Sequence, residues 1–390
     1  MDNYSFIADR PVESYRKSDT VFIITVILLW GLGIFTLYAV SGDYAVRVFG
    51  NSLYFVKRQL LSSAAGLAGL LLFAFMPIKS IRKLLFILTT GTVLLCLLTF
   101  VPGIGVERNG ARRWIRIPFF STFQPSEAVK VVTVLFLANL FDKQARIQNP
   151  EERSVLPSVL GLIFFVLIIF GQKDFSTGFF LLIVGILLFF IAGAKLSWLV
   201  PFTVLGVPAA LLMVLLEPYR VNRFIAFLKP DEFLQGLNYQ SFAAKRAISL
   251  GGFWGQGVGS GLTRVNSIPE VQADYIFAGW AESMGFIGVL VYMIILCVFA
   301  WRAYRIAVRC PDRFSAITVF GFTTLMFLQS LINCAVVCGV LPATGIPLVF
   351  FSSGGTSIMF ALIMCGFIIN ASRSGSERET NFLDGELVYE

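Results

Sequence analysis

No histidine occurs among the 390 residues of this chain. Any proton acceptor working near neutral pH must therefore be a carboxylate, a lysine, a tyrosine or a cysteine. Charge is scarce as well: Asp, Glu, Lys and Arg make up 14% of the chain, against about 25% in a soluble domain. The six cysteines form no C-x-x-C pair. Cys334 and Cys338 share a helix face, but two thiols without histidine or further cysteine make a poor metal site, and they read as small buried hydrophobes. The net charge of +8 comes with no basic stripe interleaved with aromatics, which excludes nucleic acid as a partner. What fills the chain instead is apolar: 57% hydrophobic residues and a mean hydropathy of +0.80. Such a chain lives in a bilayer. Its apolar runs are too long and too uniform for barrel strands, so they must be helices that satisfy their own backbone.

About 20 apolar residues cross the hydrocarbon core. Ten segments qualify, near 21–41, 57–76, 83–101, 124–141, 155–172, 175–194, 197–216, 277–300, 314–338 and 348–371. The expected fold is an all-α polytopic membrane protein of ten transmembrane helices. A large extracytoplasmic loop, 217–276, lies between helices 7 and 8; tails 1–20 and 372–390 flank the membrane domain 21–371. The first segment is too long for a signal-peptide core and lacks a clear A-x-A site, so it is read as a retained helix. Ten spans put both termini on one side. With that side cytoplasmic, its segments hold sixteen Lys and Arg against eight in the short outer loops, the bias expected of the inner side.

The stretch Ser267 to Gly285, SIPEVQADYIFAGWAESMG, places Asp274 between the long polar loop and an apolar helix. A carboxylate at a membrane boundary can have its pKa raised toward a useful value. The plainer role is capping the helix that begins near Tyr275, which needs only one acceptor oxygen. Arg108, Arg112, Arg113 and Arg116, in RNGARRWIR, crowd positive charge on the outer side. Either Trp114 anchors an interfacial segment there, or the arginine forks form an anion site. Glu127 and Lys130 stand at i,i+3 in the fourth segment, so they either neutralise each other or face a polar cavity. Lys173 and Asp174 repeat the theme at the outer boundary.

Within the long loop, YRVNRFIAFLKPDEF has apolar residues at helical spacing beside Arg220, Arg223 and Lys229, which suits an interfacial helix. The glycines of LGGFWGQGVGSG let backbone pack tightly or approach a ligand. They do not make a phosphate loop, because neither the preceding strand nor the Lys-Ser/Thr is there. Near the C-terminus, LPATGIPLVFFSSGGTS breaks an apolar stretch with Pro342, Gly345, Pro347, Gly354 and Gly355. Such breaks at membrane depth imply a segment lining a cavity.

In this order the motifs NGARRWI, QPSE with Lys130, KDFSTG, NYQS, GQGVGSG, IPE…DYIFA…E…GFIG and LPATGIPLVFFSSGGTS resemble the SEDS family (shape, elongation, division and sporulation). The resemblance covers the first span to about Ser372, and YFVKRQLL at Tyr54 to Leu61 is closer to the division branch than to the elongation branch. It implies a ten-span peptidoglycan glycosyltransferase that polymerises lipid II at the outer face of the bacterial cytoplasmic membrane. Asp274 matches the family's extracytoplasmic aspartate, the candidate base, although Gln272-Ala273 replaces the usual His-Thr before it. Arg112, Arg113, Trp114, Glu127, Lys130, Asp174 and Glu282 are the matching candidates for substrate binding. No ligand cluster demands a metal, though a divalent cation at the diphosphate fits the chemistry. The implied partners are lipid II, a class B penicillin-binding transpeptidase and division proteins. A flippase for lipid-linked precursors is the competing class, since buried charge pairs and broken helices are also transporter features. A divisome scaffold and an elongation-type polymerase are further alternatives.

Overall fold

The computed structural model describes residues 17–108, 110–116, 122–148, 154–194, 218–229, 238–258, 268 and 270–373. The seventh apolar segment, 197–216, lies outside them, as do 1–16, 374–390 and parts of the long loop. The elements are α1 (Thr20–Phe49), α2 (Tyr54–Phe75), α3 (Ile78–Leu98), β1 (Gly105–Arg108), β2 (Ala111–Arg116), β3 (Thr122–Phe123), α4 (Pro125–Ala145), α5 (Leu156–Gly171), α6 (Phe175–Ile191), α7 (Pro218–Leu228), α8 (Tyr239–Gly251), α9 (Ile276–Arg309), α10 (Arg313–Val337) and α11 (Gly355–Ser372). Six of these, α1, α2, α3, α9, α10 and α11, are long and apolar enough to cross a membrane; α5 and α6 are shorter apolar helices.

The expectation of an all-α chain needs correction. The arginine-rich stretch is a small antiparallel sheet of order β1-β2-β3, with Val106 opposite Trp114 and Ile115 opposite Phe123. Ala111 and Ile115 are buried while Arg112 and Arg116 are exposed, as strand alternation requires. The Asn-Gly pair between β1 and β2 is the usual signal for a two-residue hairpin, and Gly110 has the positive φ (71°) that such a turn needs.

The layers follow from which helices can face lipid. On α1, α2, α3 and α5, residues such as Ile27, Leu71, Phe86 and Leu160 are exposed apolar groups, which a bilayer solvates. By contrast, α10 is buried along most of its length, and α4 is buried around its whole circumference from Pro125 to Leu135. A helix enclosed on all sides can carry polar groups only if neighbours satisfy them.

Ion pairs mark the end of the bundle that holds both described termini. Asp19 pairs with Arg302, and Asp142 pairs with Arg82 and, at 3.0 Å, with Arg146. Arg313 donates to Ala192 O at 3.1 Å. Asn370 Nδ2 donates to Phe73 O (2.7 Å) and Met76 O (2.6 Å), satisfying carbonyls where α2 ends. The sheet, the α5–α6 turn and the α10–α11 connection lie at the opposite end.

Apolar segments differ in extent from the sequence reading: the first runs on to Phe49, and two others are irregular as well. The eighth runs to Arg309 and is broken inside at Gly285 (φ 63°, ψ −164°). The glycine-rich loop fills that break: Gln256 N donates to Glu282 O (2.9 Å), Gly257 N to Ser283 O (3.1 Å) and Phe286 N to Gly252 O (2.9 Å). The tenth helix begins only at Gly355, because 348–354 turns back on itself. Phe350 there has φ 67°, and Leu348 N donates to Ser352 Oγ at 2.8 Å.

Helices α2 and α11 pack closely because small residues let their backbones meet. A Cβ placed on Gly366 would stand 2.3 Å from Leu70 O, a backbone atom that cannot turn aside. Gly366→Val is expected to lower stability by about 1–3 kcal/mol, as overpacking does. Thermal unfolding in detergent checks this, and an unchanged midpoint would contradict the close packing.

Candidate active site

At the end of the bundle away from the termini, the chain from Cys338 to Gly354 is not helical, yet Ile346 and Leu348 to Ser352 are buried. Buried backbone of this kind needs hydrogen-bond partners. Side chains from three helices supply them. Gln329 Nε2 donates to Pro347 O (3.0 Å), Asn333 Nδ2 to Ile346 O (2.8 Å), Gln59 Nε2 to Ser352 O (3.1 Å) and Arg223 Nη1 to Ala343 O (3.2 Å). Ser353 N donates in turn to Gln272 O at 2.8 Å.

Asp274 is set against this segment. Its Oδ2 lies 3.5 Å from where a Cβ on Gly345 would stand, an ordinary contact distance, and the positive φ of Gly345 (73°) is what favours glycine there. Asn333 Nδ2 also donates to Asp274 O at 2.9 Å, which fixes the backbone at the start of α9. The N-cap position of α9 is Tyr275 and carries no side-chain cap bond, so the simple capping role is not the one Asp274 plays. The Tyr275 hydroxyl instead pairs with Ser241 Oγ of α8 at 3.0 Å. Burial pushes the Asp274 carboxyl up to about 6, the Glu270 carboxylate adds to the rise, and the Arg223 guanidinium opposes it. Next to it, Arg223, Ser241, Lys245, Gly339 and Ala343 line a narrow cavity of about 60 Å³. The buried Asn333 Oδ1 and Thr344 Oγ1 have no hydrogen-bond partner within the protein.

Glu127 and Lys130 do meet: Lys130 Nζ lies 2.8 Å from Glu127 Oε1, and both are buried. The ammonium also donates to Gln329 Oε1 at 2.8 Å. Gln329 stands one turn before Asn333 on α10, so the Lys130 pair and Asp274 hold adjacent parts of one broken segment. The pair thus acts beyond its own helix.

Asp174 forms a second cluster. It accepts from Gln124 Nε2 (3.2 Å) and Ser126 Oγ (3.4 Å), and Arg113 Nη1 stands 3.6 Å from its Oδ1. Arg113 also donates to Lys173 O. The Gln124 backbone N donates to Thr356 Oγ1 at 3.1 Å, joining this cluster to the first turn of α11. Arg113 is therefore engaged in tying the sheet to α6. Arg112 is exposed and pairs loosely with Glu107 at 3.1 Å. Trp114 is half-buried in β2. Glu282 is fully buried on the half-helix between Asp274 and Gly285, beneath the glycine-rich loop. Among the described residues, no group of three or more Cys, Asp and Glu side chains could hold a metal ion.

The sequence reading missed Lys245, Ser241, Gln329 and Asn333. Gln329 and Asn333 were visible as polar residues at i,i+4 in an apolar helix, a spacing that puts both on one face. Ser241 closes the NYQS motif without being read as a site residue, and nothing local to Lys245 marks it.

Residues 19–377 match the model of a family described as cell cycle protein, which covers FtsW, RodA and SpoVE. The chain is 33% identical, over 93% of its length and 98% of the relative's, to a probable peptidoglycan glycosyltransferase FtsW of Geobacter sp. (strain M18). It is 34% identical to stage V sporulation protein E of Bacillus subtilis (strain 168), over 91% of this chain and 97% of that one. Among solved structures, a chain of a peptidoglycan synthase complex studied for the coordination of polymerization and crosslinking superposes with a TM-score of 0.75. That chain is 25% identical, with 92% of this chain and 99% of that one covered. The rod shape determining protein RodA of Thermus thermophilus gives a TM-score of 0.67 at 23% identity, over 91% of this chain and 97% of that one.

Lys130→Met strands the buried Glu127 carboxylate and leaves Gln329 Oε1 without its donor. A loss of about 3–5 kcal/mol is expected, because one partner of a buried pair is removed. Adding Glu127→Gln should restore part of the stability but not the activity, since the Gln329 contact stays broken. Thermal unfolding and turnover measured on the same single and double variants check this. Full activity in the double variant would make the pair purely structural.

Proposed function

Because this chain belongs to the cell cycle protein family of FtsW, RodA and SpoVE, we propose that it polymerises lipid II with Asp274 as general base. It is a peptidoglycan glycosyltransferase of cell division. The finer reading has ten spans, both termini cytoplasmic and the Asp274 end outside the cytoplasmic membrane. The observation that carries the base assignment is the Asp274 carboxyl itself: placed between the polar loop and α9, set beside Gly345, and raised to about 6. A base in that range is ionised at neutral pH yet still holds a proton well enough to accept one in the transition state.

The reaction is a displacement. The 4-hydroxyl of the acceptor GlcNAc attacks the anomeric carbon of the donor MurNAc, and its proton passes to the Asp274 carboxylate. The bond from that carbon to the pyrophosphate oxygen breaks, and undecaprenyl pyrophosphate leaves with the electron pair. Negative charge develops on the leaving oxygen, and cations aimed at it lower the barrier. Arg223 and Lys245, which line the cavity beside Asp274, suit this role, and exposed Arg112 suits the approach path. A divalent cation would supply the same neutralisation at the diphosphate. Asp174, Trp114 and Glu282 serve as supports of the site. A class B penicillin-binding transpeptidase is the partner that fits a polymerase whose product must be cross-linked. The flippase reading draws on the buried Glu127–Lys130 pair, which is already satisfied by Gln329, and on the broken helices, which here hold the Asp274 site together.

Asp274→Asn is expected to reduce polymerisation of lipid II by about 10²–10⁴-fold, the usual contribution of a general base. The assay uses purified protein with and without its transpeptidase. For wild type, activity should rise with pH to a half-maximum near 6 and level off above it. Stability moves the other way. The folded carboxyl has a raised pKa, so its contribution is fullest below about 3.8 and is lost as pH rises through about 6. The Asn variant, neutral throughout, should therefore be more stable than wild type at pH 8 by on the order of 2 kcal/mol, the gap closing toward pH 4. Wild-type turnover in the Asn variant would remove Asp274 from the chemistry.

The two arginines should separate. Arg112→Ala should raise the lipid II concentration needed for half-maximal rate, with little change in thermal unfolding. Arg113→Ala should instead lower the unfolding midpoint, because it leaves Asp174 buried with fewer partners. Identical behaviour of the two variants in both measurements would refute the division of roles.

A further inference from the structure

Asn333 lies toward the Asp274 end of α10, only 1% exposed, and its side chain joins two stretches that are far apart in the chain. Nδ2 donates to Asp274 O at 2.9 Å and to Ile346 O at 2.8 Å. An amide nitrogen has two hydrogens to give, so both are spent at this junction. Its Oδ1 is buried too and has no hydrogen-bond partner within the protein. Turning the amide over would set that oxygen against two carbonyl oxygens and forfeit both bonds. The partners therefore dictate one orientation.

The two carbonyls bracket the surroundings of the carboxyl. Ile346 follows Gly345, and Asp274 Oδ2 lies 3.5 Å from where a Cβ on Gly345 would stand. One amide thus spans from the residue that bears the carboxyl to the stretch that the carboxyl faces. Other ties at the junction act on its neighbours. Ser353 N donates to Gln272 O at 2.8 Å, and the Tyr275 hydroxyl pairs with Ser241 Oγ at 3.0 Å. The N-cap position of α9 carries no side-chain cap bond, so the helix end adds no hold of that kind. Gln59 of α2 grips the same broken segment further along, at Ser352 O (3.1 Å).

We propose that Asn333 is a positioning residue for the transfer reaction: its amide clamps Asp274 to the broken segment and sets where the carboxyl stands beside Gly345. This role presupposes Asp274 as the base and adds how the base is held. Misplacing a reacting group by about 1 Å costs on the order of a hundredfold in rate. Clamped, the carboxyl keeps its buried surroundings; released, it turns toward water. Among the described residues its charged neighbours are Glu270 in the preceding turn and Arg223 of α7, with Lys245 of α8 lining the adjoining cavity. Glu282 stands further along α9, and the segment 338–354 has no charged residue. Asn333 is neutral, so exchanging it for another neutral residue alters no charge anywhere in the chain.

The test follows lipid II polymerisation against pH for the full chain with its transpeptidase, in wild type, Asn333→Leu, Asn333→Ser and Gln59→Leu. Asn333→Leu keeps the size but cannot donate. Its kcat should fall on the order of tenfold to a hundredfold, with the half-saturating lipid II concentration within about twofold of wild type. The midpoint of its acid limb should drop from about 6 toward 3.8, as the carboxyl gains water. Asn333→Ser keeps one donor and should show both changes to a smaller extent. Gln59→Leu loosens the same segment but spares the grip on Asp274, so its midpoint should stay near 6 even where its rate falls. Thermal unfolding identifies the variants that fold, and the serine variant decides alone if the leucine variant does not. Wild-type kcat and midpoint in a folded Asn333 variant overturn the proposal. So does an equal midpoint shift in Gln59→Leu, which would trace the effect to general loosening. A wild type without an acid limb near 6, or an active Asp274→Asn variant, would sink the base assignment itself and this role with it.

Discussion

The structure turns on a problem of unpaired backbone. From Cys338 to Gly354 the chain leaves the helix while much of it remains buried; Leu348 O pairs within the segment, but other carbonyls there reach partners outside it. Their partners are long polar side chains, Gln329, Asn333, Gln59 and Arg223, reaching from α10, α2 and α7. Each of these would be costly in an apolar helix if it had nothing to bond. The two costs cancel only when the segment and its supporters are all in place, which makes the region cooperative. Asp274 and the Glu127–Lys130 pair join this same segment through Asn333 and Gln329, and the Asp174 cluster joins the first turn of α11, which follows it, through Thr356. The site is therefore built around irregular backbone, and the regular helices serve to hold it.

Glycine solves a related problem at Gly285. A continuous α9 would carry its first turns straight on from the membrane-crossing part. The break instead sets the short half-helix bearing Glu282 at its own angle, and the loop 251–257 closes the gap with backbone hydrogen bonds. The φ of 63° at Gly285 is a left-handed conformation, and a Cβ there would stand 2.4 Å from Gly255 N. Both facts demand glycine. The glycine cluster that a sequence reader weighs as a ligand loop is, in this part, a tight backbone-to-backbone junction.

Much of this was legible in the chain. The described apolar segments fall on helices over most of their length, because membrane solvation leaves a long apolar run few other choices, and 348–354 is the main exception. Asp274 stood out as a carboxylate between a polar loop and an apolar helix, with capping as the plainer role, and the structure sets it against the broken segment. The Glu127–Lys130 contact follows from i,i+3 spacing. What was not legible depends on tertiary partners. Spacing alone could not tell that Lys130 also reaches Gln329, nor that Arg113 belongs to Asp174 while Arg112 remains exposed. The small sheet had a local signal in Asn-Gly, but it was outweighed by the charge of the arginines around it.

The raised pKa of Asp274 and its attachment to the broken segment are two sides of one arrangement. A carboxylate with several donors would be held low and would make a poor base. At Asp274 the strong donor, Asn333 Nδ2, is directed at the backbone oxygen and not at the carboxyl group. The position is thereby fixed while the carboxyl is left with burial and the Glu270 charge pushing its pKa up, and only Arg223 pulling it down. Arg223 is itself tied to Ala343 O, so the cation that tempers Asp274 is positioned by the segment against which Asp274 packs.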